Sequence, residues 1–289
     1  MMQVAQTNDE IREQVSQAYA VALERSRRGE SGCCGGGCGT QSTATSAVAT
    51  LAGVAAQSAG YGEEVALAPE AAASSFGCGN PLAFAGVEPG QTVVDLGSGA
   101  GFDLLIAARK VGPEGRVIGV DMTDAMIAAA QDNARRAGFD QVEVRKGLIE
   151  ALPVEDGAAD WVISNCVINL SPEKERVFAE IHRVLRPGGR FSVSDVVAES
   201  LPAAVRDHAA AYAACVAGAI SEADYLAGLE AAGLTDVAAS ERQVYGAAEI
   251  RGIVGSDLES YGLDPAALDG LLEGLEGKVA SVRFTGRKP

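Results

Sequence analysis

At 92–101 the chain passes from an apolar run into Asp95-Leu96-Gly97-Ser98-Gly99-Ala100-Gly101, and this junction limits the possible folds more than any other feature. Glycines at alternate positions let a backbone turn sharply and approach a ligand closely, and a helix opening there offers unpaired N–H groups. The surrounding pattern alternates. Apolar runs at 92–96, 116–121, 142–146, 161–166 and 190–197 predict strands, with helical periodicity over 102–110, 124–137 and 172–185 between them. Gly138 stops the second helix, and Pro187-Gly188-Gly189 reads as the turn from the third helix into its strand. Strands separated by helices of this length predict an α/β fold, a mostly parallel sheet with helices on both faces. Beyond Pro202, helices are predicted over 203–217, 222–232 and 265–276, with two late strands at 237–242 and 281–285 closing one sheet edge.

The charge balance narrows the partners. Lys and Arg number 23 against 39 Asp and Glu, a formal net charge of −16 with no local basic patch, which excludes nucleic acid and anionic membrane surfaces as expected partners. A hydrophobic share of 47% in 289 residues is enough for one large domain, or one domain with an appendage, to bury a core. Six cysteines, at 33, 34, 38, 78, 166 and 215, are too few and too unevenly spread for a disulfide-stapled secreted scaffold, and they read as reduced thiols. Residues 1–30 lack a basic segment leading into an apolar run, so no signal peptide is read and a cytoplasmic address is expected. The uncharged stretch 31–62 is too rich in Ala, Gly, Ser and Thr to read as a membrane span.

Thr7 followed by Glu10 forms a capping-box pair, and Ile11, Val15, Ala18 and Val21 recur at helical spacing, predicting an N-terminal amphipathic helix as far as Arg28. Residues 31–39 then hold five Gly and three Cys, a composition that cannot sustain a regular element and reads as a mobile, thiol-bearing loop. Cys78 stands between two glycines, ahead of Asn80 and Pro81, which fit the N-cap and first residue of a helix. The chain thus divides into 1–70, an N-terminal helix and Cys/Gly-rich loop; 71–200, a nucleotide-binding core; and 201–289, a region completing the sheet.

Asp121 falls 20 residues after Gly101, at the end of the next predicted strand. A carboxylate there can accept hydrogen bonds from both hydroxyls of a ribose, or cap the following helix. Either a nicotinamide or flavin dinucleotide or S-adenosylmethionine (SAM) suits such a junction. The Gly-x-Gly-x-Gly spacing is one residue shorter than the dinucleotide fingerprint, and Asp95 is placed to meet a cationic amino group rather than a pyrophosphate, which favours SAM. Asp95, Gly97, Ser98, Gly99, Gly101 and Asp121 are therefore cofactor-binding candidates. Met122 fits either the adenine face or the core. Cys166 ends the fourth strand beside the expected cofactor, or is a small buried hydrophobe; Cys215, in an Ala-rich helix, is open to the same two readings.

Together, Asp95 to Gly101, Asp121 and Pro187-Gly188-Gly189-Arg190 resemble the class I SAM-dependent methyltransferases. That resemblance implies a Rossmann-like seven-stranded sheet with its last strand reversed, contacts to the adenine edge from Ile149 and Glu150, and Asn165 close to the cofactor. More specifically, the chain from about Cys33 onward resembles the arsenite methyltransferases of microbes and animals. The segments that carry this are Phe76-Gly77-Cys78-Gly79-Asn80-Pro81, Gly119-Val120-Asp121-Met122-Thr123, Ile149-Glu150-Ala151-Leu152-Pro153 and Ser164-Asn165-Cys166-Val167-Ile168-Asn169-Leu170. Membership implies that Cys78, Cys166 and Cys215 hold trivalent arsenic, partly through a helical C-terminal arsenic-binding region. It also implies a further thiol matching Cys33 or Cys34, with no choice between them, and no counterpart for Cys38.

The chemistry agrees. Trivalent arsenic is soft, takes thiolate ligands in a three-sided pyramid and keeps a lone pair on the open side, which attacks the sulfonium methyl by direct displacement. No proton has to be removed, so a chain whose only histidines are His182 and His208 is no obstacle. Methylation takes arsenic formally to the pentavalent state. Two thiols, expected from Cys33 or Cys34 together with Cys78, return the electrons as a disulfide that thioredoxin or glutathione then reduces. Expected substrates are arsenite and methylated trivalent arsenicals. Three alternatives stand beside this: a methyltransferase for a carbon, nitrogen or oxygen acceptor, a non-catalytic thiol metalloid-binding protein, and a nucleotide-linked oxidoreductase.

Overall fold

The capping box is formed as read. Glu10 accepts from the Thr7 N–H at 2.7 Å, its own N–H donates to Thr7 Oγ1 at 3.3 Å, and helix α1 runs Asn8–Arg28. Its buried row is Val15 and Leu23, with Tyr19 half-buried between them, whereas Ala18 and Val21 face outward, Val21 at 49% exposure. The row continues from Val15 by steps of four rather than three, a choice that depends on what the helix docks against.

In the computed structural model, residues 7–28, 71–72, 80–82, 85–201, 218–246 and 275–289 are described. The predicted alternation appears as β1 (Thr92–Leu96), α2 (Phe102–Val111), β2 (Arg116–Asp121), α3 (Asp124–Ala137), β3 (Val142–Lys146), β4 (Ala159–Asn165), α4 (Lys174–Val184) and β5 (Leu185–Ala198). Then follow α5 (Glu222–Ala231), β6 (Thr235–Val244) and β7 (Val279–Arg287). The helices predicted over 203–217 and through 274, the loop 31–39, and Cys33, Cys34, Cys38, Cys78 and Cys215 lie outside the described residues.

The seven strands form one sheet in the order β3-β2-β1-β4-β5-β7-β6. Strands β1 to β5 pair in parallel, and β7 runs antiparallel between β5 and β6. The expected seven-stranded sheet with its last strand reversed is thus present. Strand alternation feeds both faces: Val94 and Leu96 join Phe178, Tyr225 and Phe284 on one side, while Val93 packs with Leu104, Leu105 and Ile163 on the other. Each such buried side chain contributes about 1.5–3 kcal/mol.

Two local readings are corrected. Pro187-Gly188-Gly189 is not a turn ahead of a strand but lies within β5, because Leu185 already pairs with Ala159 and the register shifts before Arg190 pairs with Trp161. Asn80 does cap, accepting the Leu82 N–H at 3.1 Å, yet Pro81 and Leu82 form a turn and 85–88 are irregular, so the cap closes an Asx-type turn in place of the predicted helix.

Candidate functional site

The carboxyl ends of β1, β2 and β4 open onto a cleft lined by Asp95, Asp121 and Asn165, the side of such a sheet where ligands bind. Gly97, φ +64°, turns the chain out of β1, and a Cβ there would lie 2.3 Å from Val167 Cγ2, so only glycine allows this turn to pack against the loop after β4. Gly99, φ +52°, is different: a Cβ on it would meet nothing within 4 Å. Its bare face leaves backbone open to a ligand.

Three carboxylates converge behind this turn. Asp95 is 2% exposed and its Oδ2 has no hydrogen-bond partner among the described residues. Burial, with Asp103 and Asp121 close by, holds the Asp95 carboxyl well above the usual carboxylate range. Asp103, in the first turn of α2, accepts from Asn165 Nδ2 at 3.1 Å. Asp121 accepts the Gly99 N–H at 2.9 Å through one oxygen and the Thr123 N–H at 2.8 Å through the other. Burial raises its pKa against the pull of those N–H groups. The N-cap of α3 is Thr123, so the helix-capping alternative for Asp121 is not realised, and each of its oxygens keeps a lone pair for a ribose hydroxyl. A buried carboxylate oxygen without a donor, beside two further acids, calls for a cation. SAM, with its ammonium and sulfonium groups, fits Asp95 where a pyrophosphate does not.

Every cofactor-binding candidate apart from Gly101 lines this cleft: Asp95, Gly97, Ser98, Gly99, Asp121, Met122, Ile149, Glu150 and Asn165. Gly101, φ +91°, instead lies against Ala130 of α3 and holds the two helices close. Glu150 sits outside any helix, in the turn after β3. Its Oε1 accepts Arg12 Nε and Nη2, each at 3.2 Å, and Ser171 Oγ at 2.6 Å.

Arg12 belongs to α1, whose residues were not among the candidates. Arg12, Val15 and Tyr19 roof the cleft. Arg12 also pairs with Glu173, whose pKa that bond lowers, Ser16 Oγ lies 3.1 Å from Thr123 Oγ1, and Leu23 packs with Ala100, Met126 and Ala129. Nothing in the sequence near α1 announces these partners. Asp103 left a trace, an acid two residues after the glycine turn, which resembles an ordinary first-turn carboxylate.

Cys166 is 4% exposed and lines the same cleft. Its φ of +57° places it in the left-handed region, and its N–H donates to Ser194 O at 2.8 Å. It is disulfide-bonded. The structure therefore brings one of the expected cysteines to the cleft, as a disulfide and not as the reduced thiol read from the sequence, and the other four candidates lie outside the described residues.

A family profile described as a methyltransferase domain matches residues 87–233, about half the chain. The chain belongs to that methyltransferase family. The methyltransferase is 44% identical over 240 residues to an arsenite methyltransferase of Halobacterium salinarum, covering 79% of this chain and 58% of that protein. It is 42% identical over 165 residues to one of Aquipseudomonas alcaligenes, covering 54% and 47%. The methyltransferase thus spans about half the length of these curated relatives. Among solved structures, an arsenic(III) S-adenosylmethionine methyltransferase from Chlamydomonas reinhardtii is 38% identical with a TM-score of 0.57, covering 73% of this chain and 66% of that one. The resemblance to arsenite methyltransferases drawn from the cysteine segments is borne out. No helix among the described residues is long and apolar enough to cross a membrane.

Proposed function

We propose that this methyltransferase binds arsenite through cysteine thiolates and methylates it, using SAM. When bound, SAM supplies an electrophilic methyl group. Asp95 holds the cofactor's cationic end, Asp121 its ribose, and Met122, Ile149 and Glu150 the adenine side. Asn165 fixes Asp103. Arg12, Val15 and Tyr19 exclude water from above. The observation that carries this reading is the position of Cys166, which lines the cleft of the three carboxylates and becomes a soft thiolate ligand there once its disulfide is reduced. Cys78 and Cys215 complete the arsenic ligand set. Cys33 or Cys34, together with Cys78, returns electrons as a disulfide that thioredoxin or glutathione reduces, in a cytoplasmic setting where such reductants act. The three parts 1–70, 71–200 and 201–289 supply the thiol loop, the cofactor core and the helical arsenic-binding region. Holding donor and acceptor in line gives roughly 7–11 kcal/mol of the acceleration where alignment is good.

Incubation with arsenite, a thiol and SAM is expected to yield S-adenosylhomocysteine and methylated arsenic. Cys78→Ser and Cys166→Ser are each expected to abolish that yield with SAM binding retained. Unchanged turnover in either variant defeats the thiolate assignment, and methylation of a carbon, nitrogen or oxygen acceptor with indifference to arsenite defeats the substrate.

A further inference from the structure

Beside the Cys166 turn lies a buried acid that does not line the cleft. Asp195, in β5, is fully buried with Val282 of β7 as its register partner. Its Oδ1 accepts the Val196 N–H at 2.9 Å, and its Oδ2 accepts both the Asn169 N–H at 3.2 Å and the Tyr225 hydroxyl at 3.3 Å. Asn169 is itself buried and sits in the 3-10 turn Ile168–Leu170, three residues after Cys166. It returns a second bond to β5, Nδ2 to Val196 O at 2.6 Å. With Cys166 N–H on Ser194 O at 2.8 Å, the segment that carries the thiol is tied to β5 at both ends. From the outer side Lys174 Nζ donates to the carbonyls of Asn169 and Ser171, at 3.3 and 2.9 Å.

Such a network costs more than it returns in stability. A carboxylate removed from water is paid for only in part by three hydrogen bonds, and an apolar side chain opposite Val282 would be the cheaper solution for a strand. Burial accordingly pushes the Asp195 pKa up to about 7. What the network does fix is the path of the chain through Cys166. A non-glycine residue at φ +57° is strained, and such a conformation persists only where its neighbours hold it.

We infer that Asp195 and Asn169 are a positioning pair for Cys166, locking the left-handed turn that presents its Sγ to the cofactor cleft. For its consequence in turnover this rests on the arsenite-methylating reading. Asp195→Asn keeps shape and size but offers one acceptor oxygen where two are used, so either Val196 N–H or Asn169 N–H then faces an amide donor.

The test uses the full chain, reduced with a phosphine. Asp195→Asn and Asn169→Ala are each expected to change the alkylation rate of Cys166, read on its own peptide by mass spectrometry, by about threefold or more. Methylation kcat is expected to fall about tenfold or more with KM for SAM within about twofold, the split that separates positioning from cofactor binding. The thermal midpoint is expected to stay within about 4 °C, and the double variant to lose less than the product of the single losses. Tyr225→Phe, which keeps the ring stacked on Phe284 at 4.1 Å, is expected to show a smaller loss. Wild-type alkylation rate and kcat in both Asp195→Asn and Asn169→Ala overturn the inference. If Asp195→Asn fails to fold, Asn169→Ala decides alone. If the wild-type chain forms no S-adenosylhomocysteine with arsenite, the function reading fails, and the alkylation rates still decide this one.

Discussion

The floor of the cofactor cleft and its roof are held by different means. In the floor, Asp121 accepts from Gly99 across 22 positions of sequence, and strand, glycine turn and helix leave the carboxylates little freedom. In the roof, Arg12 reaches Glu150 across 138 positions, and α1 is held through that ion pair, a second one from Arg12 to Glu173, a hydroxyl contact to Thr123 and the apolar row ending at Leu23. A floor built from contiguous strand-helix units moves only if the sheet unfolds. A roof docked by a few side chains opens by local unfolding, at a small fraction of the global free energy. On the proposed function, this difference predicts that the floor governs recognition of the cofactor and the roof its retention.

The largest expected effect is on the floor. Asp95→Asn removes a charge-assisted partner worth about 1.5–3 kcal/mol, so Kd for SAM is expected to weaken roughly 10- to 150-fold by calorimetry. In the free protein Asp95 keeps its proton above the usual range, whereas a bound cation favours its carboxylate. Binding therefore releases a proton, and wild-type affinity is expected to tighten as pH rises until free Asp95 has ionised; Asp95→Asn flattens that slope. Equal affinities in wild type and variant would erase the floor's role in recognition.

Next comes Leu23→Ala, which removes the buried end of the α1 row and is expected to loosen its docking by about 2 kcal/mol. Amide exchange in α1 is expected to quicken with that in β1 and β4 unchanged. Exchange rising equally in all three elements would show that roof and floor are one cooperative unit. Smallest is Arg12→Gln, where about 1 kcal/mol is expected because the pair is only partly shielded from water. The loss should appear in the dissociation rate of SAM and shrink at high salt.

The same contrast explains what could be read from the sequence. The strands at 92–96, 116–121 and 142–146, the α3 limits set by Gly138, and the capping box of α1 were legible because each is fixed by residues a few positions apart. Pro187-Gly188-Gly189 misled because a local turn signal was overridden by pairing of Leu185 with Ala159, a partner supplied from another strand. Ala18 and Val21 misled because periodicity gives a helix several apolar stripes, and only the docking partners, Ala100, Met126 and Ala129, select the one through Leu23. At the site, Asp95 and Asp121 were legible from spacing and Cys166 from its segment. Arg12 was not, since an arginine in a basic-acidic helix looks like any solvated charge until the fold brings Glu150 beneath it.

Strand β7 separates β5 from β6 and, among the described residues, is the only strand that β6 pairs with. On the ribosome, the parallel strands can assemble as they emerge, but β5 keeps an open edge and β6 has no sheet to join until Val279–Arg287 has left the exit tunnel. Throughout that interval two unpaired backbones are exposed, and the nascent chain is most in need of a chaperone until β7 has emerged.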